Sequence, residues 1–318
     1  MKVLVTGGAG YIGSVVGTRL CEEGHDVVVL DDCSTGHADA VPDGARFVCA
    51  RLHDVIGEVL AEGFDAVVHL AASSLVAESV AYPERYEENN VVGSTKLVKA
   101  MAEVGVDRIV FSSTAAVYGE PDRVPITEEA PCRPVNPYGA SKLAVDRVLG
   151  RAANDGLAAV SLRYFNVAGA YGGRGERHVP ETHLIPLALE TALGRRAEML
   201  IYGDDFPTPD GTCLRDYIHV ADIADAHLAA LEVARPGRHD IFNLGNGAGF
   251  SVREVLAVVE QVTGRPLPMR VVARRPGDPA VLVAAADRAR LALGWQPRRP
   301  HLEQMIGDAW AFVTGRAK

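Results

Sequence analysis

The chain has 318 residues and a mass of 33.8 kDa, with 48% hydrophobic and 23% charged residues, enough to bury a core over one large or two ordinary domains without staples. Its 32 Lys+Arg against 41 Asp+Glu leave a net charge of -9 with no long run of one sign. That balance excludes the basic footprint of a nucleic-acid or anionic-membrane binder. Five cysteines without a CxxC pair read as free thiols and exclude a zinc-ligand spacing, and no stretch approaches the roughly 20 apolar residues of a membrane span. The apolar run in MKVLVTGGAG is too short for a signal-peptide core, so a soluble cytoplasmic protein is expected.

In chain order, near-continuous apolar runs at 3–5, 27–30, 66–70, 109–112 and 160–162 predict strands buried on both faces of a parallel sheet. Helical patterns at 11–23, 84–104 and 138–154 lie between them. The series predicts an α/β fold: a doubly wound, Rossmann-type parallel sheet. Beyond residue 165 Gly and Pro become frequent, with helical patches near 184–194, 221–234 and 251–263. The predicted division is a dinucleotide-binding domain over 1–165, with a returning strand near 240–244, and a smaller α/β substrate domain over 166–318.

The strand Val3-Leu4-Val5-Thr6 runs directly into Gly7-Gly8-Ala9-Gly10-Tyr11-Ile12-Gly13. Glycines there permit a tight turn and a close backbone approach to a pyrophosphate, and the next helix aims its N–H groups at that anion. The second predicted strand ends at Asp31-Asp32, about 20 residues beyond the glycines, as a ribose-binding carboxylate requires. With no Arg or Lys beside that pair, NAD is favoured over NADP.

Tyr138 and Lys142 lie four apart, hence on one face of a helix that Asn136-Pro137 starts. A free tyrosine, with a pKa of about 10, is a poor base; a nearby ammonium and an oxidised nicotinamide each favour its phenolate. Ser112, Ser113 and Thr114, at a strand end about 25 residues upstream, offer hydroxyls to share the substrate's proton. The histidines of HLIP and DYIHVADIADAH lack acids at metal-ligand spacing and read as structural, so no metal is expected.

With these landmarks the sequence resembles the extended short-chain dehydrogenase/reductases, and among them the UDP-sugar 4-epimerases. The likeness runs nearly end to end through TGGAGYIG, LDDCSTG, VVHLAA, ENNVVGS, FSSTAAVYG, NPYGASK, LRYFNVAGA, HLIP, YGDDFPTPDGTCLRDYIHVADIADAH, FNLGNG and RRPGDPA. The resemblance implies Thr114, Tyr138 and Lys142 as the catalytic set. It implies NAD contacts from Gly7, Gly10, Tyr11, Ile12, Gly13, Asp31, Asp32, Ser34, Thr35, Gly36, Leu70, Ala71, Ala72, Asn90, Ser112 and Tyr164, together with Tyr138 and Lys142. For a UDP-sugar it implies Phe165, Asn166, Leu184, Tyr202, Arg215, Arg275, Asp278 and Leu282, besides Thr114 and Tyr138. A homodimer through the helices near 84–104 and 138–154 is implied as well.

Two positions depart from that pattern. Arg51 stands where the family carries an Asp that contacts the adenine amine, and Ser74 where some members have a lysine. The activity implied is interconversion of UDP-galactose and UDP-glucose through a transient 4-keto sugar. Relatives that eliminate water or decarboxylate carry carboxylates beside the strand-end Thr; here those places are Ala115 and Ala116, so hydride return is the ketone's simplest fate. Leu282, four past Asp278, is intermediate in size at the position guarding the sugar's C2 substituent, so UDP-N-acetylglucosamine stays open as a substrate, as does UDP-glucuronate. A dehydrogenase releasing reduced cofactor and a non-catalytic NAD(H) sensor are the rival classes.

Overall fold

The apolar runs form strands whose central side chains are buried on both faces, β1 (Lys2–Thr6), β2 (Asp26–Asp31), β4 (Ala66–His69), β5 (Arg108–Thr114) and β6 (Ala158–Tyr164). The strand β3 (Arg46–Cys49), which the apolar runs do not predict, is an edge strand with no buried side chain. Strand Arg238–Leu244 lies beside β6 in parallel register, from Arg238 opposite Ala158 to Leu244 opposite Tyr164. The computed structural model describes residues 1–275 and 277–315. Pro276, within RRPGDPA, and residues 316–318, the end of the predicted second domain, lie outside the described residues.

The central sheet has seven parallel strands in the order Arg238–Leu244, β6, β5, β4, β1, β2, β3. One face is covered by helices Tyr11–Glu22 and Val220–Val233, which bury Val15, Val16, Ile223 and Ala224 with the Val side chains of β1 and β2. The other is covered by Leu52–Leu60, Gly93–Val104 and Pro137–Asn154. The winding reverses between β1 and β4, which opens a crevice beyond their carboxyl ends. The doubly wound α/β fold is therefore as the patterning predicts.

A second core gathers helices Leu184–Ala192, Val252–Thr263 and Leu302–Val313 over the parallel pair Met199–Tyr202 and Met269–Val272. A small sheet around Leu214–His219 pairs with Asn166–Ala168, Gly249–Ser251 and Val281–Leu282. The buried Asp216 ties its ends together, accepting from the N–H groups of Asn246 (2.8 Å), Gly247 (3.0 Å) and Ala284 (3.1 Å). Burial outweighs those three bonds and pushes its carboxyl up to about 6.

One predicted element differs. The continuous helix over 84–104 is instead a turn of helix at Pro83–Tyr86, a wide π-turn at Glu87–Val92, and the helix Gly93–Val104. The wide turn points the 1%-exposed Asn90 inward, a local distortion that a 3.6-residue periodicity does not encode. All five cysteines are free, and among the described residues no helix is long and apolar enough to cross a membrane.

Candidate active site

The glycine turn fills the reversal point. Gly7 has φ +74°, and a Cβ on it would lie 2.5 Å from the Ala71 nitrogen, so only glycine lets β1 and the end of β4 (Leu70, Ala71, Ala72) approach this closely. A Cβ on Gly13 would lie 2.1 Å from the Gly7 carbonyl oxygen, which seats the helix against the strand end. Gly10 is different: a Cβ there would meet only the Gly7 oxygen, at 3.4 Å, and otherwise faces open space. Helix Tyr11–Glu22 begins there with no side-chain cap and no acid in its first turn. Its free N–H groups, including those near Tyr11, Ile12 and Gly13, are an anion site in waiting.

Asp31, at the end of β2, is fixed by the N–H groups of Ala9 (3.0 Å) and Cys33 (2.8 Å). Burial raises its pKa in spite of both bonds. Asp32 accepts from the Ser34 N–H at 2.9 Å. In the loop that follows, a Cβ on Gly36 would lie 2.9 Å from the Ala9 backbone, and Thr35 lines the groove beside Gly10 and Tyr11. Arg51 is 69% exposed and its guanidinium lies 4.0 Å from Asp32, so the fold, unlike the local sequence, does place an arginine beside the second acid of the pair. Ser74 is exposed.

Thr114 ends β5. Asn136 caps the helix Pro137–Asn154 by accepting from the Gly139 N–H at 2.8 Å, with Pro137 in the first turn. A Cβ on Gly139 would lie 2.5 Å from the Ala116 oxygen, so this glycine allows the helix start to sit against the turn Ala115–Val117 and brings Tyr138 to Thr114. The Thr114 hydroxyl accepts from the Ala116 N–H (3.1 Å); burial holds the Tyr138 pKa above its ordinary value, and the neighbouring Thr114 hydroxyl acts in the opposite sense, toward the phenolate.

The buried Lys142 donates to the Ser112 carbonyl at 2.8 Å and lies 4.8 Å over the Phe111 ring. Burial lowers its pKa to about 7, with Asp146 opposing. An unfolded lysine stays protonated to about pH 10.4. Between those values the unfolded chain binds the extra proton, so this group's contribution to stability grows with pH and is lost as pH falls through about 7. Lys142→Met in the ligand-free protein is therefore expected to flatten the rise in unfolding free energy between about pH 7 and 10, read by urea melts across pH; an unchanged slope would contradict it.

Supporting contacts surround the pair. Asn90 holds the Ser73 backbone (2.8 and 3.0 Å) and donates to the Ser141 hydroxyl (3.0 Å), linking the π-turn to the catalytic helix. Ser112 and Tyr164 share a hydrogen bond at the ends of β5 and β6. Sequence reasoning missed Asp146, one turn beyond Lys142. It takes two hydrogen bonds from Arg163 (3.1 and 2.8 Å), and Arg163 also reaches the Tyr118 hydroxyl (3.0 Å), which donates to Asn243 (2.7 Å). The available signal was the four-residue step from Lys142 to Asp146. Of the histidines read as structural, His219 caps its helix through the Ala221 N–H (3.0 Å) and meets Asp308 (3.1 Å), His227 bonds the Ile223 carbonyl (2.9 Å), and His183 meets Glu181 (2.7 Å).

The residues expected at a UDP-sugar converge from the second core. Arg215 and Asp278 form an ion pair, and Leu282 lies opposite Arg215 in parallel register. Arg275 stacks 3.9 Å from the Tyr202 ring centroid, and the charges of Arg215, Asp278 and Arg275 all reach the Cys213 thiol. Asn166 lies opposite Tyr217 in parallel register. Phe165 and Leu282 pack on Val117, Tyr118, Ile126 and Leu143, beside the Thr114 turn and the catalytic helix. Leu184 opens a helix whose N-terminus also has no side-chain cap. The geometry thus offers two anion-receptive helix starts, a buried tyrosine beside the Thr114 hydroxyl with a buried lysine on its helix face, and two guanidinium groups.

Comparison with known proteins agrees with this geometry. Residues 3–245 match the NAD dependent epimerase/dehydratase family. The chain is 54% identical to the UDP-glucose 4-epimerase of Corynebacterium glutamicum over 316 residues, covering 99% of this chain and 96% of that one. It is 56% identical to the UDP-glucose 4-epimerase of Streptomyces lividans over 323 residues, covering 100% and 97%. Among solved structures, the UDP-glucose-4-epimerase of Stenotrophomonas maltophila, with bound NAD and formylated UDP-arabinopyranose, superposes with a TM-score of 0.95 at 40% identity, over 99% of this chain and 98% of that one.

Proposed function

The chain belongs to the NAD dependent epimerase/dehydratase family, and from that premise we propose that it inverts C4 of UDP-sugars, interconverting UDP-galactose and UDP-glucose. The observation that carries the reading is the Thr114–Tyr138–Lys142 constellation, with alanines at 115 and 116 where an elimination would need a carboxylate. The residues fit NAD. The open face of Gly10 and the uncapped helix start receive the pyrophosphate, and the Asp31 carboxylate receives the ribose hydroxyls. The chemistry NAD would supply when held there is reversible acceptance of the hydride from C4 of the sugar.

Tyr138 takes the C4 hydroxyl proton while the Thr114 hydroxyl donates to the oxygen that gains charge. Lys142 would hold the nicotinamide ribose and, when protonated, add positive charge beside the tyrosine. Arg215 and Arg275 hold the diphosphate, Asp278 the nucleoside, and Asn166 and the helix start at Leu184 the remaining polar groups. Residues 1–165 with the returning strand serve the cofactor and 166–318 the nucleotide sugar. The enzyme acts in the cytoplasm as a homodimer through the segment 84–104 and the helix Pro137–Asn154.

A dehydrogenase would consume NAD, and a sensor would turn over nothing. The discriminating experiment is to follow reduced nicotinamide during conversion of UDP-galactose. Many turnovers per bound cofactor without net reduction are expected, whereas one reduced nicotinamide per sugar would replace the reading. Leu282→Tyr is expected to lower conversion of UDP-N-acetylglucosamine by at least about tenfold while sparing UDP-galactose, read by parallel initial rates.

A further inference from the structure

We infer that Glu176, His178 and His183 form a binding site for one divalent transition-metal ion of the zinc class, on the segment that covers the dinucleotide groove. One donor atom from each residue lies within 4.8 Å of the others. Tetrahedral ligands on 2.0–2.1 Å bonds stand about 3.3 Å apart, so the three need to close by about 1.5 Å at most. Two imidazoles with one carboxylate suit zinc, cobalt or nickel rather than the all-oxygen shells of magnesium or calcium.

A second observation is independent of that spacing. His183 Nδ1 meets a carboxylate oxygen of Glu181 at 2.7 Å, and the same oxygen accepts from the backbone N–H groups of Thr182 and His183, both at 2.6 Å. The carboxylate is thereby fixed, the ring is held by its Nδ1–H, and Nε2 is left as the ligand. This is the outer-shell arrangement that orients histidines on metals. The site departs from the expectation that His183 of HLIP is structural and that no metal binds: its acids and histidines are spread over a glycine-rich loop with no helical spacing, and the fold brings them together.

Charge points the same way. Burial raises the pKa of Tyr11, at the helix start that receives an anion, and the carboxylates of Glu176 and Glu181 add to it. Among the described residues neither acid pairs with a lysine or arginine: Glu176 meets His178 Nδ1 and accepts from the His178 backbone N–H (2.9 Å), Glu181 meets His183 Nδ1 (2.7 Å), and Arg177 turns away to Asp39 (2.9 and 2.7 Å). A bound cation would take the place of the proton between Glu176 and His178 while leaving the Glu181–His183 bond intact. The segment is already tied to the groove by Tyr11 donating to the Gly169 carbonyl (2.7 Å) and Arg174 to the Ala40 carbonyl (2.9 Å). The ion would join it to the start of helix Leu184–Ala192.

The test is a titration of the tag-free, cofactor-loaded protein, freed of metals with a chelator, with cobalt(II) chloride alone. Ligand-field bands report the coordination, and equilibrium dialysis reports the stoichiometry. One cobalt per chain is expected, with saturable binding lost in His178→Ala and His183→Ala and weakened about 10- to 100-fold in Glu181→Gln. Metal-free unfolding curves of the variants confirm that the fold persists. No saturable binding by the parent protein, or binding unchanged in both histidine variants, would overturn the site.

Discussion

Tyr138→Phe lowers the turnover of UDP-galactose by about 10²- to 10⁴-fold, the range that general acid–base catalysis supplies. The change removes one oxygen and leaves the ring in place against Tyr86, with which it makes an edge contact at 6.4 Å between centroids. The glycine turn, the Asp31 carboxylate and the Lys142–Ser112 bond do not depend on that oxygen, so NAD retained after purification stays at the parent level. Steady-state rates together with cofactor released on denaturation test both halves. Undiminished turnover would remove Tyr138 from the chemistry, and lost cofactor would make it a binding residue.

Asp146→Ala has the largest expected effect on stability. Asp146 and Arg163 are each 4% exposed in their side chains, so removing the carboxylate leaves a buried guanidinium without its charge partner. Such breaks cost about 3–5 kcal/mol, most of it the penalty of the stranded charge. Tyr118 still accepts from Arg163, which does not neutralise it. Replacing both members with apolar residues of similar volume, Asp146→Leu with Arg163→Met, is expected to recover most of that loss. Urea midpoints of the single and double variants decide the matter; a single-variant loss below about 1 kcal/mol would show that the pair is a minor contributor. The double variant also removes the charge that opposes burial at Lys142, so its activity is expected to fall even where stability returns.

How far each feature was legible follows from the range over which it is encoded. The buried strands and the glycine turn are local: β-branched runs fix the first, and Gly7 and Gly13 sit where a Cβ would strike backbone. Tyr138 and Lys142 were readable because a helix turns a four-residue spacing into a shared face. The π-turn at Glu87–Val92 was not, since its geometry answers to Asn90 reaching Ser73 and Ser141, residues 17 and 51 positions away. Nor was the counter-effect of burial on Tyr138, because neither spacing nor composition states how deeply a hydroxyl lies. The Arg163 partner of Asp146 and the meeting of Glu176 with His183 depend on which strand or loop lies beside which, information held by the topology.

The most direct measurement is proton NMR of the purified protein with UDP-galactose, recorded with and without added NAD. The anomeric signals of UDP-glucose are expected to grow to equilibrium, with no accumulation of a keto sugar. Unchanged UDP-galactose in the presence of NAD, alongside unchanged UDP-N-acetylglucosamine and UDP-glucuronate in parallel samples, would contradict C4 inversion as the function.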